Sequence, residues 1–129
     1  MRTILLVEDS KRLRTSTERA MMKAGYSVIS ASDGDEALQV AAHTLPDLIV
    51  LDMLLPKRSG TDVLRALKEN VRTADIPVIV CSGIYQKNAE KLLLEGACAF
   101  LEKNALLDDV DPLLEKIKAA LQTRALLES

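Results

Sequence analysis

The sequence predicts an α/β fold of three layers, in which helices cover both faces of a doubly wound, five-stranded parallel sheet. Two observations lead to this prediction. Short runs rich in Val, Ile and Leu alternate five times with longer stretches of helical character, as expected for repeated strand–helix units. The runs show little polar alternation, which is typical of strands covered on both faces. We therefore expect five parallel strands and five helices.

The first half of the chain contains three strand–helix units. The predicted strands are Ile4–Val7, Tyr26–Ser30 and Leu48–Leu51, and the predicted helices are Arg12–Lys23, Asp33–Ala42 and Gly60–Glu69. Gly25 is a good stop after the first helix, and a Ser-Asp-Gly turn precedes the second.

Two further units complete the pattern. The predicted strands are Ile76–Cys81 and Ala97–Leu101, with a fourth helix over Gln86–Glu95 that Gly96 ends. The fifth helix begins within Asp108–Pro112, where acidic residues complement the dipole of a helix amino terminus. Apolar residues at helical spacing mark its buried face: Val110, Leu113, Leu114, Ile117 and Leu121.

Length and composition fit one domain that spans residues 1–129. A chain of 129 residues, 48% hydrophobic and 28% charged, is typical of a globular domain. No apolar run approaches the roughly 20 residues of a membrane span, and no signal-peptide pattern begins the chain. We expect a cytoplasmic protein. The net charge of −2 and the absence of Trp disfavour nucleic-acid binding.

Polar residues follow four of the five predicted strands. Glu8 and Asp9 end the first, Asp52 the third and Ser82 the fourth, and Lys103 lies two residues past the fifth. The carboxyl ends of parallel strands are the edge where such sheets bind ligands. Carboxylates held close together suit Mg²⁺, whereas a lysine and a hydroxyl can contact a phosphate. Each residue alone is ordinary turn or surface chemistry, but their joint occurrence predicts one shared site.

With these residues in place, the chain resembles the receiver domain of bacterial two-component response regulators over nearly its full length. The stretches that carry the resemblance are ILLVED (residues 4–9), ASDGDEAL (31–38), PDLIVLDMLLP (46–56) followed by Gly60, IPVI (76–79) leading to Ser82-Gly83, and GACAFLEK (96–103). The resemblance implies a flavodoxin-like fold, similar to chemotaxis regulators, with strand order 2-1-3-4-5.

The resemblance also assigns roles to the strand-end residues. It implies that Asp52 is the phosphoacceptor and that Asp9 and Asp52 ligate Mg²⁺ directly. Glu8 would act through water, and the backbone carbonyl of Leu54 would complete the protein's share of the ligands.

Three further residues would act on the phosphoryl group or respond to it. Ser82 and Lys103 would contact the phosphoryl oxygens, and Phe100 would swing inward as the Ser82 hydroxyl moves toward the phosphate. The chain would be a regulatory phosphoprotein that catalyses only its own phosphorylation and dephosphorylation, not an enzyme that turns over substrate.

The partners that the resemblance implies are proteins. A histidine kinase or a histidine phosphotransfer protein would donate the phosphoryl group in a phosphorelay, and an unidentified downstream protein would receive the signal. A homodimer would form through the fourth helix, fifth strand and fifth helix. We expect no contact of this domain with nucleic acid or membrane. A stand-alone regulator and a piece of a longer protein both fit the sequence.

The chain departs from the family pattern at a few positions. Asn104 follows Lys103 where the family usually has proline, and because a non-proline cis bond costs roughly 3–4 kcal/mol, we expect a trans bond. Phe100 lacks the hydroxyl of the commoner tyrosine. Leu54 and Ile84 are apolar at positions that border the path of attacking water in the family, so we expect slow hydrolysis of the aspartyl phosphate.

The main alternative is a pseudo-receiver, an interaction module that keeps the fold without being phosphorylated. Asn104 and Phe100 are the residues that keep this alternative open. Flavin binding would need a phosphate-cradling loop where the chain has Glu8-Asp9, and a phosphatase would need a second aspartate where it has Leu54.

Five other residues are interpreted structurally. We expect His43 to be a solvated residue at a helix end and the thiols Cys81 and Cys98 to be reduced and buried. Met21 and Met22 are expected to fill gaps in the core.

Overall fold

One parallel sheet forms the centre of the molecule. A computed structural model describes residues 1–83, 91, 93, 95–103 and 109–128. Its strands are β1 (Thr3–Val7), β2 (Ser27–Ala31), β3 (Leu48–Asp52), β4 (Val78–Ser82) and β5 (Ala99–Glu102). All neighbouring strands pair in parallel, in the order β2-β1-β3-β4-β5. The predicted sheet and the strand order are confirmed.

Four helices lie in the described part of the chain: α1 (Lys11–Lys23), α2 (Gly34–Thr44), α3 (Gly60–Glu69) and α4 (Asp111–Glu128). The helix predicted over Gln86–Glu95 falls mainly outside that part and stays a prediction. At its expected end, the amide of Glu95 donates to the Lys91 carbonyl over 3.1 Å. Gly96 follows with φ 115°, a conformation that suits the predicted glycine stop.

Side-chain caps explain where the first three helices begin. The side chain of Ser10 accepts from the amide of Leu13, and Asp33 and Ser59 do the same at α2 and α3. Such caps satisfy amides that have no partner within the helix. Each helix therefore begins one residue after a Ser or Asp of the sequence.

Three predicted strands began too early, the second by one residue, since β2 begins at Ser27 rather than Tyr26, and the fourth and fifth by two. β4 begins at Val78 rather than Ile76, since Pro77 has no N–H to donate to the ladder. Its carbonyl instead accepts from the Ile49 amide over 2.9 Å. β5 begins at Ala99 rather than Ala97. Both strands, like β3, extend through the polar residue at their carboxyl end.

The core consists of two layers, one on each face of the sheet. One layer packs side chains of β1, β3 and β4 against α2 and α3. The other packs the opposite faces of those strands against Met21 of α1 and the apolar face of α4. In α4, Leu113, Ile117 and Leu121 are buried as predicted. This arrangement confirms the three-layer architecture.

Two side chains predicted to be buried are exposed instead. Met22 faces solvent, because a helix turns by about 100° per residue and its neighbour Met21 occupies the buried face. Cys98 is exposed, whereas Cys81 is buried, and both thiols are free. Cys98 precedes β5 and so lies outside the sheet layer in which the prediction placed it. His43 is exposed at the end of α2, as expected.

Among the described residues, no helix combines the length and the apolar character that crossing a membrane requires.

Candidate functional site

Three charged residues lie on one face of the sheet at its carboxyl edge. Side chains alternate along a strand, so Glu8, Asp52 and Lys103 follow the rows of β1, β3 and β5 that face α1 and α4. Between β3 and β5 lies β4, where Cys81 occupies the same face and pairs in register with Asp52. The long side chain of Lys103 reaches across that position toward Asp52.

The ammonium group of Lys103 lies between two carboxylates. Its Nζ donates to Asp52 Oδ2 over 2.8 Å. It also lies 3.1 Å from Glu8 Oε1 and 3.3 Å from Glu8 Oε2. These three residues are separated widely in the sequence, and the strand order β1-β3-β4-β5 brings them together. The structure thus brings three of the five predicted site residues together at one edge of the sheet.

Both carboxylates are withdrawn from water. The exposed fraction of Glu8 is 5% and that of Asp52 is 2%. Burial raises the pKa of Glu8, and the nearby charge of Asp52 adds to that effect, although hydrogen bonds from the Ser10 amide and from Lys103 oppose it. Burial alone would lower the pKa of Lys103, but its hydrogen bonds to Asp52 and Glu8 outweigh burial and raise it. The ammonium therefore stays charged and partly offsets the two carboxylates.

Asp9 adds a third carboxylate to this group. One oxygen from each of Glu8, Asp9 and Asp52 lies within 4.8 Å of the others, and Asp9 is the exposed member. Hard oxygen ligands with an open side toward solvent fit a divalent cation such as Mg²⁺, which keeps several waters in its shell. The described residues therefore form an acidic pocket compatible with a divalent metal ion.

Backbone contacts fix the loop after β1. The guanidinium of Arg14 donates to the carbonyl of Glu8 over 2.9 Å and to that of Asp9 over 3.5 Å. The Ser10 amide donates to Glu8 Oε2 over 3.1 Å. The sequence did not lead us to Arg14. Its position one turn into α1, directly after the loop that follows β1, is the feature that could have indicated this contact.

The chain after β3 also packs closely against Asp52. The amide of Leu54 donates to Asp52 Oδ1 over 3.2 Å. Gly60, the first residue of α3, donates to the Met53 carbonyl over 2.9 Å. A Cβ at Gly60 would lie 2.6 Å from the Asp52 carbonyl oxygen and 2.5 Å from Met53 Cα, closer than atoms pack. Glycine is therefore required where α3 approaches the strand end.

The residues predicted to respond to phosphorylation lie in β4 and β5. Ser82 is fully buried at the carboxyl end of β4, one residue beyond the partner of Asp52. Phe100 pairs in register with Val80 and packs, half-buried, against the layer formed with α2 and α3. A Cβ at Gly83 would meet nothing within 4 Å, so the approach beside Ser82 is open on that side.

Leu54, two residues after Asp52, is exposed, with 68% of its surface accessible. Ile84 and Asn104 lie outside the described residues, and so does the Lys103–Asn104 bond. The expectations about water access at Ile84 and a trans bond at Asn104 stay predictions.

Comparison with known proteins places this arrangement in one family. A family profile described as the response regulator receiver domain matches residues 4–118. The chain is 33% identical over 123 residues to the DNA-binding dual master transcriptional regulator RpaA of Synechocystis, and the aligned region covers 95% of this chain and 50% of RpaA. It is 35% identical over 120 residues to the response regulator MprA of Mycobacterium leprae, and the aligned region covers 92% of this chain and 50% of MprA. The chain thus spans half the length of both relatives.

Solved structures agree with the sequence relatives. A response regulator receiver domain protein from Clostridium thermocellum superposes with a TM-score of 0.89 at 28% identity, covering 98% of this chain and 99% of that one.

Proposed function

The chain belongs to the response regulator receiver domain family, and on that premise we propose that Asp52 accepts a phosphoryl group in a Mg²⁺-dependent reaction. The donor is a phosphohistidine, and the aspartyl phosphate then switches contacts with other proteins. The observation that carries this proposal is the buried Asp52 carboxylate, paired with Lys103 at 2.8 Å and grouped with Glu8 and Asp9.

The acidic pocket is suited to the metal that the reaction needs. Asp9 and Asp52 would ligate Mg²⁺ directly, Glu8 would act through water, and the backbone carbonyl of Leu54 would complete the set. Bound there, Mg²⁺ would neutralise charge on the transferring phosphoryl oxygens and orient the group for in-line attack.

The residues of the chain supply the remaining steps. An Asp52 carboxylate oxygen forms a bond to phosphorus as the P–N bond of the donor breaks, and the bonding electron pair returns to the imidazole nitrogen. A carboxylate is a weak nucleophile, so the rate depends on position and on charge neutralisation. The Leu54 amide donates to Oδ1 of Asp52, and Lys103 and the Ser82 hydroxyl would contact the phosphoryl oxygens.

The product differs from the starting state mainly in charge. An acyl phosphate carries roughly two negative charges where the carboxylate carried one. Lys103, now held by Asp52 and Glu8, would be drawn toward the phosphoryl oxygens, and the Ser82 hydroxyl would follow. Phe100 packs on the face of the sheet that α2 and α3 cover, and it would move inward as Ser82 shifts, which changes the surface around β5.

The partners follow from this role. We assign the donor to a histidine kinase or a histidine phosphotransfer protein, and the receiver of the signal to a downstream protein or a second copy bound through the β5 and α4 face. RpaA is named as DNA-binding, but we propose that residues 1–129, with a net charge of −2, do not themselves bind nucleic acid. We propose that these residues act as one cytoplasmic regulatory unit of a two-component phosphorelay.

Phosphorylation with a small donor tests the proposal. Wild-type protein incubated with acetyl phosphate and Mg²⁺ should gain the mass of one phosphoryl group, and EDTA should abolish the gain. Asp52→Asn should gain none, whereas the matched variant Asp47→Asn, at the other end of β3, should behave as wild type. A wild-type protein that gains no mass would favour the pseudo-receiver alternative.

Leu54 is expected to affect the lifetime of the aspartyl phosphate. Its exposed apolar side chain follows Asp52 by two residues and would exclude the attacking water, so Leu54→Asn should shorten the lifetime of the aspartyl phosphate about tenfold, roughly 1.4 kcal/mol in barrier height. The lifetime is measured from the decay of the phosphorylated mass after the donor is removed; equal lifetimes would contradict this role of Leu54. Ile84→Glu tests the corresponding expectation for Ile84 in the same way.

A further inference from the structure

The loop of residues 53–59, which joins Asp52 to α3, contains a strained turn. The amide of Arg58 donates to the Pro56 carbonyl over 2.7 Å, and Lys57 between them has φ 68°. Residues other than glycine rarely adopt this region, and three-residue turns of this kind are strained. Such a conformation persists only where surrounding structure holds it. A neighbouring element must therefore hold this turn.

The acidic amino terminus of α2 contacts the turn through two ion pairs. Asp33 Oδ2 lies 3.5 Å from the Lys57 ammonium, and Asp35 Oδ1 accepts from Arg58 Nε over 2.7 Å. Asp33 also caps α2 through its other oxygen, so the aspartate that begins the helix also binds the loop. Exposed ion pairs contribute little individually, but these two join consecutive residues of the turn to one helix end.

At Gly34 the backbone of α2 also contacts the loop directly. The Gly34 amide donates to the Pro56 carbonyl over 3.3 Å. A Cβ at Gly34 would lie 2.5 Å from Arg58 Cβ and 2.9 Å from the Arg58 carbonyl oxygen. The backbones of α2 and the loop are thus in direct contact, and any side chain at this position would push the turn away.

We propose that the amino terminus of α2, residues 33–35, positions the metal-binding loop of the phosphoacceptor site. By holding the strained turn at Lys57, it fixes the path of the chain just before that turn, where the Leu54 carbonyl would ligate Mg²⁺. This inference rests on the proposed function, because it takes Asp52 and Leu54 as ligands. Asp33, Gly34 and Asp35 are positioning residues: they contact the loop, and none of them belongs to the acidic pocket.

Calorimetric titration of the purified chain with MgCl₂ tests this inference. Gly34→Ala should weaken Mg²⁺ binding by about tenfold or more, as loss of an outer-shell partner does. The double variant Asp33→Asn with Asp35→Asn keeps the helix cap but loses both ion pairs, and should weaken binding about two- to fivefold. Asp35→Glu keeps the charge and should retain most of the wild-type affinity. Arg2→Gln, which breaks an exposed ion pair with Asp47 far from the loop, should change nothing.

Two readouts separate positioning from a general loss of structure. The Mg²⁺ concentration for half-maximal phosphorylation by acetyl phosphate should rise by the same factor as the dissociation constant, while the rate at saturating Mg²⁺ stays unchanged. In the metal-free protein, amide resonances of residues 53–59 should shift in the variants and those of β2 should not. If Gly34→Ala does not fold, the double variant decides.

The outcomes distinguish this inference from the proposed function. If wild-type protein binds Mg²⁺ and is phosphorylated but the folded variants keep its Mg²⁺ affinity, the inference is wrong and the proposed function stands. If wild-type protein neither binds Mg²⁺ nor gains a phosphoryl group, both are wrong.

Discussion

An aspartate lies at each end of β3, and the two differ in almost every physical respect. Asp47, just before the strand, has a side chain 33% exposed; it accepts the Thr3 amide over 2.8 Å and lies 3.6 Å from Arg2. Asp52, at the carboxyl end, is 2% exposed and shares Lys103 with a second buried carboxylate, that of Glu8.

Asp47 stabilises the fold, whereas Asp52 is held where burial and a neighbouring like charge are unfavourable. At the amino end, the carboxylate satisfies a backbone donor and remains partly hydrated. At the carboxyl end, like charges are concentrated where desolvation makes them costly. A protein retains such a cluster when function requires it, and the strained turn at Lys57 lies at the same end.

The largest expected effect on stability comes from removing the cation that the two buried carboxylates share. Lys103→Met should lower the free energy of unfolding of metal-free protein at neutral pH by about 2 kcal/mol or more, because an unpaired buried charge remains. Arg2→Met, at the opposite end of β3, should lower it by less than about 1 kcal/mol. Urea denaturation measures both; equal losses would remove the distinction between the two ends.

Neutralising each aspartate should change stability in opposite directions. Asp47→Asn loses the attraction to Arg2 and should cost up to about 1 kcal/mol. Asp52→Asn relieves repulsion with Glu8 while keeping an acceptor for the Leu54 amide, so stability should stay the same or rise by up to about 1 kcal/mol. Urea denaturation without metal measures the pair. A clear loss for Asp52→Asn would mean that the carboxyl end is not under electrostatic stress.

The smallest expected effect is a pH dependence that belongs to the carboxyl end. The folded protein holds the proton of Glu8 more tightly than the unfolded chain does, because burial raises its pKa above the ordinary value of 4.5. The contribution of Glu8 to stability is therefore greatest at low pH and declines as pH rises from about 4.5 through the folded pKa. Glu8→Gln should lack this decline. A difference curve between wild type and variant that is flat or rises with pH would contradict the assignment.

Much of the carboxyl end was predictable from the sequence because strand ends are encoded locally. Apolar runs located β1, β3 and β4, and the first polar residue after each run identified Glu8, Asp52 and Ser82. Parallel topology then implied that they meet at one edge. The same reasoning predicted the range of α3 and the buried face of α4.

Loop conformations and the contacts of helices with loops were not predictable in this way. The bond of Arg14 to the carbonyls after β1, the turn at Lys57 and the packing of Gly34 on Arg58 depend on backbone paths that have no periodic pattern. Burial was also misjudged for Met22 and Cys98, since an apolar character does not specify which face of an element a residue occupies.

Chemical mapping of the phosphoryl group tests the central claim most directly. Protein treated with acetyl phosphate and Mg²⁺ is reduced with borohydride, which converts an acyl phosphate to an alcohol, and peptide mass spectrometry locates the modified residue. The account predicts that the modification occurs at Asp52 alone, with Asp47 and the other carboxylates unchanged. Modification at Asp47, Glu8 or Asp9 with Asp52 intact, or no modification at all, would contradict it.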